Sequence, residues 1–209
     1  MSIDFTTVID YVGTFAFAIS GIRLASAKRF DWFGAYVVGA ATAIGGGTIR
    51  DIMLGYSPFW MYQPSYLVVT GLALLFVICF GRYVIRLNNT FFIFDAIGLG
   101  LFTVVGIEKS LDASFPMWVA IIMGMVTGAV GGVIRDIFIN EVPLIFRKDI
   151  YALACIVGGF LYYLCETVGT GHIATQLITA ASVILCRLVA VKYHISLPVL
   201  KGNEDCQQQ

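Results

Sequence analysis

The sequence predicts an all-α, polytopic membrane protein with seven transmembrane helices, arranged as two inverted three-helix repeats plus a seventh helix. Three observations predict it. The 209 residues are 59% hydrophobic and only 12% charged, with a mean hydropathy of +0.88; a soluble domain carries about 25% charged residues. Apolar stretches long enough to cross a bilayer, about 20 residues, follow one another with short connections and no inserted soluble domain. Finally, residues of the first half recur in the second at a constant offset of 85 positions.

The expected spans are 8–26, 31–55, 64–85, 91–109, 116–139, 149–167 and 172–192. The first lacks a basic leading region and contains Asp10, so it reads as a span rather than a cleavable signal. Basic residues outside the glycine-rich segments set the orientation. Arg23, Lys28, Arg29, Arg82, Arg86, Arg147, Lys148, Arg187, Lys192 and Lys201 fall on one side, and Lys109 alone on the other. The positive-inside rule then puts the N-terminus outside and the C-terminus in the cytoplasm of an inner (plasma) membrane. Residues 193–209, ending in "KGNEDCQQQ", form a polar cytoplasmic tail.

The offset of 85 pairs Asp10 with Asp95, Gly13 with Gly98, Phe17 with Phe102, Gly21 with Gly106 and Ile22 with Ile107. Without a gap it continues through Gly39 and Gly124, Thr42 and Thr127, Gly46-Gly47 and Gly131-Gly132, Ile49-Arg50-Asp51-Ile52 and Ile134-Arg135-Asp136-Ile137, and Pro58 and Pro143. Repeat 1 covers 8–86 and repeat 2 covers 91–168, within a single membrane domain; 172–192 lies outside the duplication. Each unit crosses the bilayer an odd number of times, so the second copy is inserted upside down, an arrangement typical of transporters. Spans three and six match poorly, and their equivalence rests on order alone.

"AIGGGTIRDIMLG" (43–55) and "AVGGVIRDIFIN" (129–140) place glycines beside Arg-Asp in the middle of spans two and five. Glycine costs about 1 kcal/mol relative to alanine inside a helix. The glycines therefore either break the helix beside a hydrated cavity or allow close helix packing. A charge at the bilayer centre costs about 2.5–3.5 kcal/mol even on the lenient scale, which favours a polar pathway. The expected lining and gating residues are Gly45, Gly46, Gly47, Thr48, Arg50, Asp51, Gly131, Gly132, Arg135 and Asp136, with Thr42, Thr127 and Ser20. Adjacent helical residues point about 100° apart, so each arginine is expected to pair away from its neighbouring aspartate. Arg50 is assigned Asp10, with Glu108 as the alternative, and Arg135 is assigned Asp95.

The paired GGxxRD motifs, the three-plus-three inverted helices and the extra seventh helix resemble the prokaryotic branch of the TRIC (trimeric intracellular cation) channels, over about residues 8 to 192. The related bacterial repeat is catalogued as a glycine-transporter domain. The resemblance implies a homotrimer in membrane lipid, one pore per protomer passing K+ and Na+, lined by spans one, two, four and five and kinked at Gly45–Gly47 and Gly131–Gly132. Tyr66, Gly71, Gly158 and Gly159 are candidate contacts between protomers or, equally, packing residues within one protomer. A secondary transporter of glycine or another small zwitterion is the alternative, because inverted repeats also suit alternating access. An enzyme is not expected: HExxH, a Ser/His pair at span depth and paired GxGD aspartates are all lacking. Net charge of zero and a pI near 6.7 exclude a basic nucleic-acid surface. Cys79, Cys155, Cys165, Cys186 and Cys206 have no ligand spacing, so no cofactor and no metal beyond transient K+ or Na+ is expected.

Overall fold

The computed structural model describes residues 5–86, 90–146, 150–193 and 195. Arg147, Lys148, Lys201 and most of the expected tail lie outside the described residues. The chain forms α1 (Phe5–Ala27), α2 (Trp32–Met53), the one-turn α3 (Phe59–Tyr62), α4 (Ser65–Arg86), α5 (Thr90–Asp112), α6 (Met117–Phe138), a 3-10 turn (Leu144–Phe146), α7 (Ala152–Val168) and α8 (His172–Lys192). No strand occurs among the described residues. α1, α2, α5, α6 and α8 are long and apolar enough to cross a membrane by themselves, and α4 and α7 carry shorter apolar runs, Ser65–Gly81 and Ala152–Val168.

Local chemistry sets the helix ends. Asp31 caps α2 by accepting from Gly34 N at 2.6 Å, a satisfied first-turn donor. Pro116 precedes α6, where its missing N–H costs nothing. Turn geometry repeats at the same 85-residue step: Arg29 and Ser114 both take positive φ (61° and 62°), as do Gly55 and Asn140 (81° and 56°). Tyr56 N bonds Asp51 O, and Glu141 N bonds Asp136 O, both at 2.8 Å. Two sequences that differ at most positions thus end their helices alike.

α1, α2, α5 and α6 pack most closely against one another, with α4, α7 and α8 around them. Phe17, Ile19, Leu99, Phe102 and Val104 are buried in this centre. Val68, Leu72 and Leu75 of α4 and Val157, Phe160 and Leu164 of α7 are exposed, an apolar outer surface suited to lipid.

The glycines do not break their helices. α2 runs continuously from Trp32 to Met53 and α6 from Met117 to Phe138. The expected kink is replaced by close packing: a Cβ on Gly46 would strike the carbonyl of Thr127, and one on Gly131 the carbonyl of Thr42. Because 46 and 131 differ by 85, as do 42 and 127, this crossing is one contact made twice with the partners exchanged. The same exchange relates Gly13 against Phe102 to Gly98 against Phe17. Small residues let two backbones meet while both hydrogen-bond ladders stay intact, which avoids the exposed backbone groups that unwinding would create.

Tyr66, Gly158 and Gly159 also turn inward. Tyr66 is buried, and added methyls on Gly158 and Gly159 would meet Val183 of α8 and Ile121 of α6. These three pack within the chain.

Candidate functional site

The two Arg-Asp motifs lie at the ends of α2 and α6, fully enclosed: Arg50 is 1% exposed and Arg135 0%. Each aspartate bridges two elements. Asp51 takes the Arg50 Nε and Nη2 on Oδ1 (2.8 and 2.6 Å) and the backbone N of Phe59, the first residue of α3, on Oδ2 at 2.9 Å. Asp136 takes Arg135 Nε on Oδ1 and the backbone N of Leu144, which opens the 3-10 turn, on Oδ2, both at 2.9 Å. Contrary to expectation, neighbours on a helix therefore pair here: the separation of about 100° keeps short side chains apart, but arginine reaches far enough to fold its guanidinium back over the next residue. The carboxylates thus neutralise a buried cation and anchor the chain as it leaves the helix.

Beyond this shared clamp the copies diverge. Arg135 Nη1 donates to Asp95 Oδ1 and to Ser20 Oγ, the latter at 2.8 Å. Arg50 does not reach Asp10: that carboxylate accepts from Tyr66 OH at 2.9 Å and lies 3.4 Å from Lys109 Nζ. Nor does it meet Glu108, which bonds Tyr162 and Gln176 on α7 and α8. Both expected partners of Arg50 are thus replaced by Asp51. The cause lies in substitutions between the copies. Position 105, equivalent to Ser20, is Val105 and offers Arg50 no oxygen, while Lys109, whose counterpart is Leu24, supplies Asp10 with a cation.

Tyr66, expected at a contact between protomers, and Tyr151, not singled out in the sequence, instead partner buried carboxylates, and they too differ by 85. Tyr66 OH donates to Asp10, and Tyr151 OH to Asp95 at 3.4 Å. Their helices otherwise match poorly, which hid the pair. Arg187 of α8, 1% exposed, has no counterpart; its guanidinium lies 4.6 Å over the Tyr151 ring and donates to Ile150 O.

The threonines bond along their own helices: Thr42 to Val38 O, Thr127 to Met123 O and Thr48 to Ile44 O, at 2.6, 2.6 and 2.7 Å. Thr48 also accepts from Trp60 Nε1 at 3.1 Å. Gly45 faces Ile134, Gly47 seats the Phe59 ring and Gly132 the Tyr151 hydroxyl. Gly46, Gly131, Thr42 and Thr127 therefore form the central crossing, while Gly47 and Gly132 admit the aromatic side chains that roof the charge clusters.

Two recesses open beside the clamps. One, about 290 Å³, is lined by Leu24, Ala27, Lys28, Phe91, Asp136, Ile139, Glu141 and Leu144; the other, about 200 Å³, by Asp51, Leu54, Tyr56, Lys109, Asp112 and Ala113. Every residue of the smaller recess corresponds, 85 positions away, to one in the larger. Lys28 bonds Glu141 across the larger at 2.6 Å, and Lys109 reaches Asp10 from the edge of the smaller.

Buried Arg-Asp clamps on apolar helices, repeated at a fixed offset around a glycine crossing, define a helical membrane protein built by internal duplication. Comparison with known proteins agrees. The family model described as Glycine transporter matches twice, at residues 7–82 and 92–167, with the same 85-residue step. The UPF0126 inner membrane protein YadS of Escherichia coli (strain K12) is 39% identical over 204 residues, covering 94% of this chain and 97% of that protein. A UPF0126 membrane protein of Vibrio cholerae is 40% identical over 193 residues, covering 91% and 81%. Among solved structures, the TRIC trimeric intracellular cation channel orthologue from Rhodobacter sphaeroides superposes with a TM-score of 0.85 at 31% identity, covering 91% of this chain and 98% of that one. A second TRIC cation channel gives 0.81 at 33% identity, covering 94% and 97%. The chain belongs to the prokaryotic branch of the TRIC family.

Proposed function

We propose that the protein is a channel for monovalent cations, K+ and Na+, assembled as a homotrimer with one pathway in each protomer. Seven helices, α1, α2 and α4 to α8, span the inner membrane with the N-terminus outside and the C-terminus in the cytoplasm. The halves are related by a pseudo-two-fold axis in the membrane plane. The exchanged contacts of Gly46 with Thr127 and Gly131 with Thr42 support that relation.

One observation carries the reading: the two matching recesses, each with an Arg-Asp carboxylate in its wall, flank a single crossing. They are the mouths of a path along α1, α2, α5 and α6, shut in this conformation where Gly46 and Gly131 bring α2 and α6 together. The expected gating role of the glycines becomes that of a contact surface whose separation opens the path. Arg50 and Arg135, neutralised by Asp51, Asp95 and Asp136, hold the walls in place.

The alternative, a transporter of glycine or a similar zwitterion, is favoured by one feature: each recess holds both a lysine and a carboxylate, Lys109 with Asp112 and Lys28 with Glu141. Such a pair can hold an ammonium and a carboxylate group together. Recording from purified protein in a planar bilayer separates the readings. Alternating access requires collective motion in each cycle, on the microsecond-to-millisecond scale or slower, which is too slow for resolvable current steps. Discrete K+ steps establish the channel; a silent protein that exchanges labelled glycine establishes the transporter.

A further inference from the structure

Glu108 of α5 is 5% exposed, where α5, α7 and α8 meet the start of α1. Its Oε1 accepts from Tyr162 OH at 2.8 Å and from Gln176 Nε2 at 2.7 Å. Its Oε2 lies 3.4 Å from Nε2 of His172, the first residue of α8. Gln176 is fully buried, and its Nε2 also faces Thr6 Oγ1 at 3.0 Å and His172 Nε2 at 3.1 Å.

An amide nitrogen carries two hydrogens, yet Gln176 Nε2 faces three potential acceptors: Glu108, Thr6 and His172. Protonating His172 Nε2 removes the third, so the two amide hydrogens go to Glu108 Oε1 and Thr6 Oγ1, and the imidazolium brings a positive charge to the buried carboxylate, whose Oε2 lies 3.4 Å away. Among the described residues, His172 is the one cation-forming side chain within 4 Å of Glu108, since Lys109 is directed at Asp10. The surroundings reinforce the demand for a cation. Asp112 of α5 and Glu166 of α7 act electrostatically on the Tyr162 hydroxyl, whereas, among the described residues, α1 contributes the neutral Thr6 and α8 the neutral Gln176 beside His172 itself. The dipole at the start of α8 opposes a cation there, which keeps the effect modest.

We propose that the Glu108, Gln176 and His172 cluster is a proton-binding site that locks the start of α8 onto α5 and α7. The His172 side chain is 60% exposed, so protons reach it directly from the water on that side of the membrane. Acidification converts a shared hydrogen bond into an ion pair, and alkalinisation releases it. Neither the identity of the transported species nor the opening of the crossing enters this inference.

The test is hydrogen–deuterium exchange of the purified protein in detergent, corrected for the intrinsic pH dependence of exchange. It reads the amides of residues 176–182, whose helical acceptors lie in the first turns of α8. Lowering the pH from about 8 to about 5.5 should raise their protection about two- to fivefold, the range of a partly exposed ion pair. The rise should vanish in His172→Gln, which keeps a polar side chain at an exposed position, and in Glu108→Gln. Size-exclusion chromatography checks that each variant is folded and assembled; if Glu108→Gln is not, His172→Gln alone decides. Absence of the rise in the wild type, or its persistence in His172→Gln, overturns the proposal.

Discussion

Replacing Gly46 by alanine tests the central crossing. The added Cβ would meet the Thr127 carbonyl, a backbone atom that cannot rotate away, on the opposite, equally continuous helix. Ordinary carbon contacts are made at about 3.5–4.0 Å, so α2 and α6 must part by roughly 1 Å for the methyl to fit. Overpacking a close-packed interior costs about 1–3 kcal/mol. Alanine's better helix propensity returns up to about 1 kcal/mol, leaving a net loss of up to about 2 kcal/mol. Gly131→Ala meets Thr42 in the same way and should lose a similar amount. Gly171→Ala is the control, because nothing lies within 4 Å of its Cβ position. Thermal unfolding of the detergent-solubilised protein, read by loss of the assembled species, should rank Gly46→Ala and Gly131→Ala below wild type and Gly171→Ala level with it. If either crossing variant is as stable as the control, the crossing is not the tight contact described here. If the glycines instead lined a broken helix, alanine would mend it and stabilise the protein, the opposite sign.

Other substitutions separate the charge clusters. Arg135→Ala leaves Asp95 and Asp136 buried without their cation and should cost about 3–5 kcal/mol, whereas Lys28→Ala removes an exposed bridge to Glu141 worth at most about 1 kcal/mol; urea unfolding in mixed micelles ranks the two. Tyr66→Phe removes a 2.9 Å bond to a buried carboxylate, a loss of about 1.5–3 kcal/mol. Tyr151→Phe removes a 3.4 Å contact and should cost less in the same thermal assay. Asp51→Ala frees both Arg50 and the Phe59 amide, so chymotrypsin, which cuts after aromatic residues such as Tyr56, Trp60 and Tyr62, should cleave this segment faster than in wild type, and equal cleavage rates would show that α3 is held by something else.

Much of this protein was legible in one dimension. Membrane class follows from composition alone, because a chain with 12% charged residues cannot cover its outside with polar groups. Duplication was legible because Gly, Pro and Arg-Asp recur in one register, and residues of that kind are constrained by backbone geometry and burial rather than drifting with neighbouring apolar positions. The repeat suggested pairing Arg135 with Asp95 and Arg50 with Asp10 alike, and only the first pair forms. Three things needed the tertiary structure. Whether a glycine run bends a helix or brings two helices together depends on the partner backbone, and the Thr127 and Thr42 carbonyls lie 81 and 89 residues from the glycines they meet. Arg50's choice of Asp51 over Asp10 turned on Lys109, which sits 99 residues from Asp10 and breaks the symmetry of the copies. The Glu108 cluster gathers side chains from α1, α5, α7 and α8, and α8 has no repeat counterpart from which to infer its place. Local spacing records what a helix can present; which charge meets which is decided by the energy of burying one without the other, and that is a property of the packed whole.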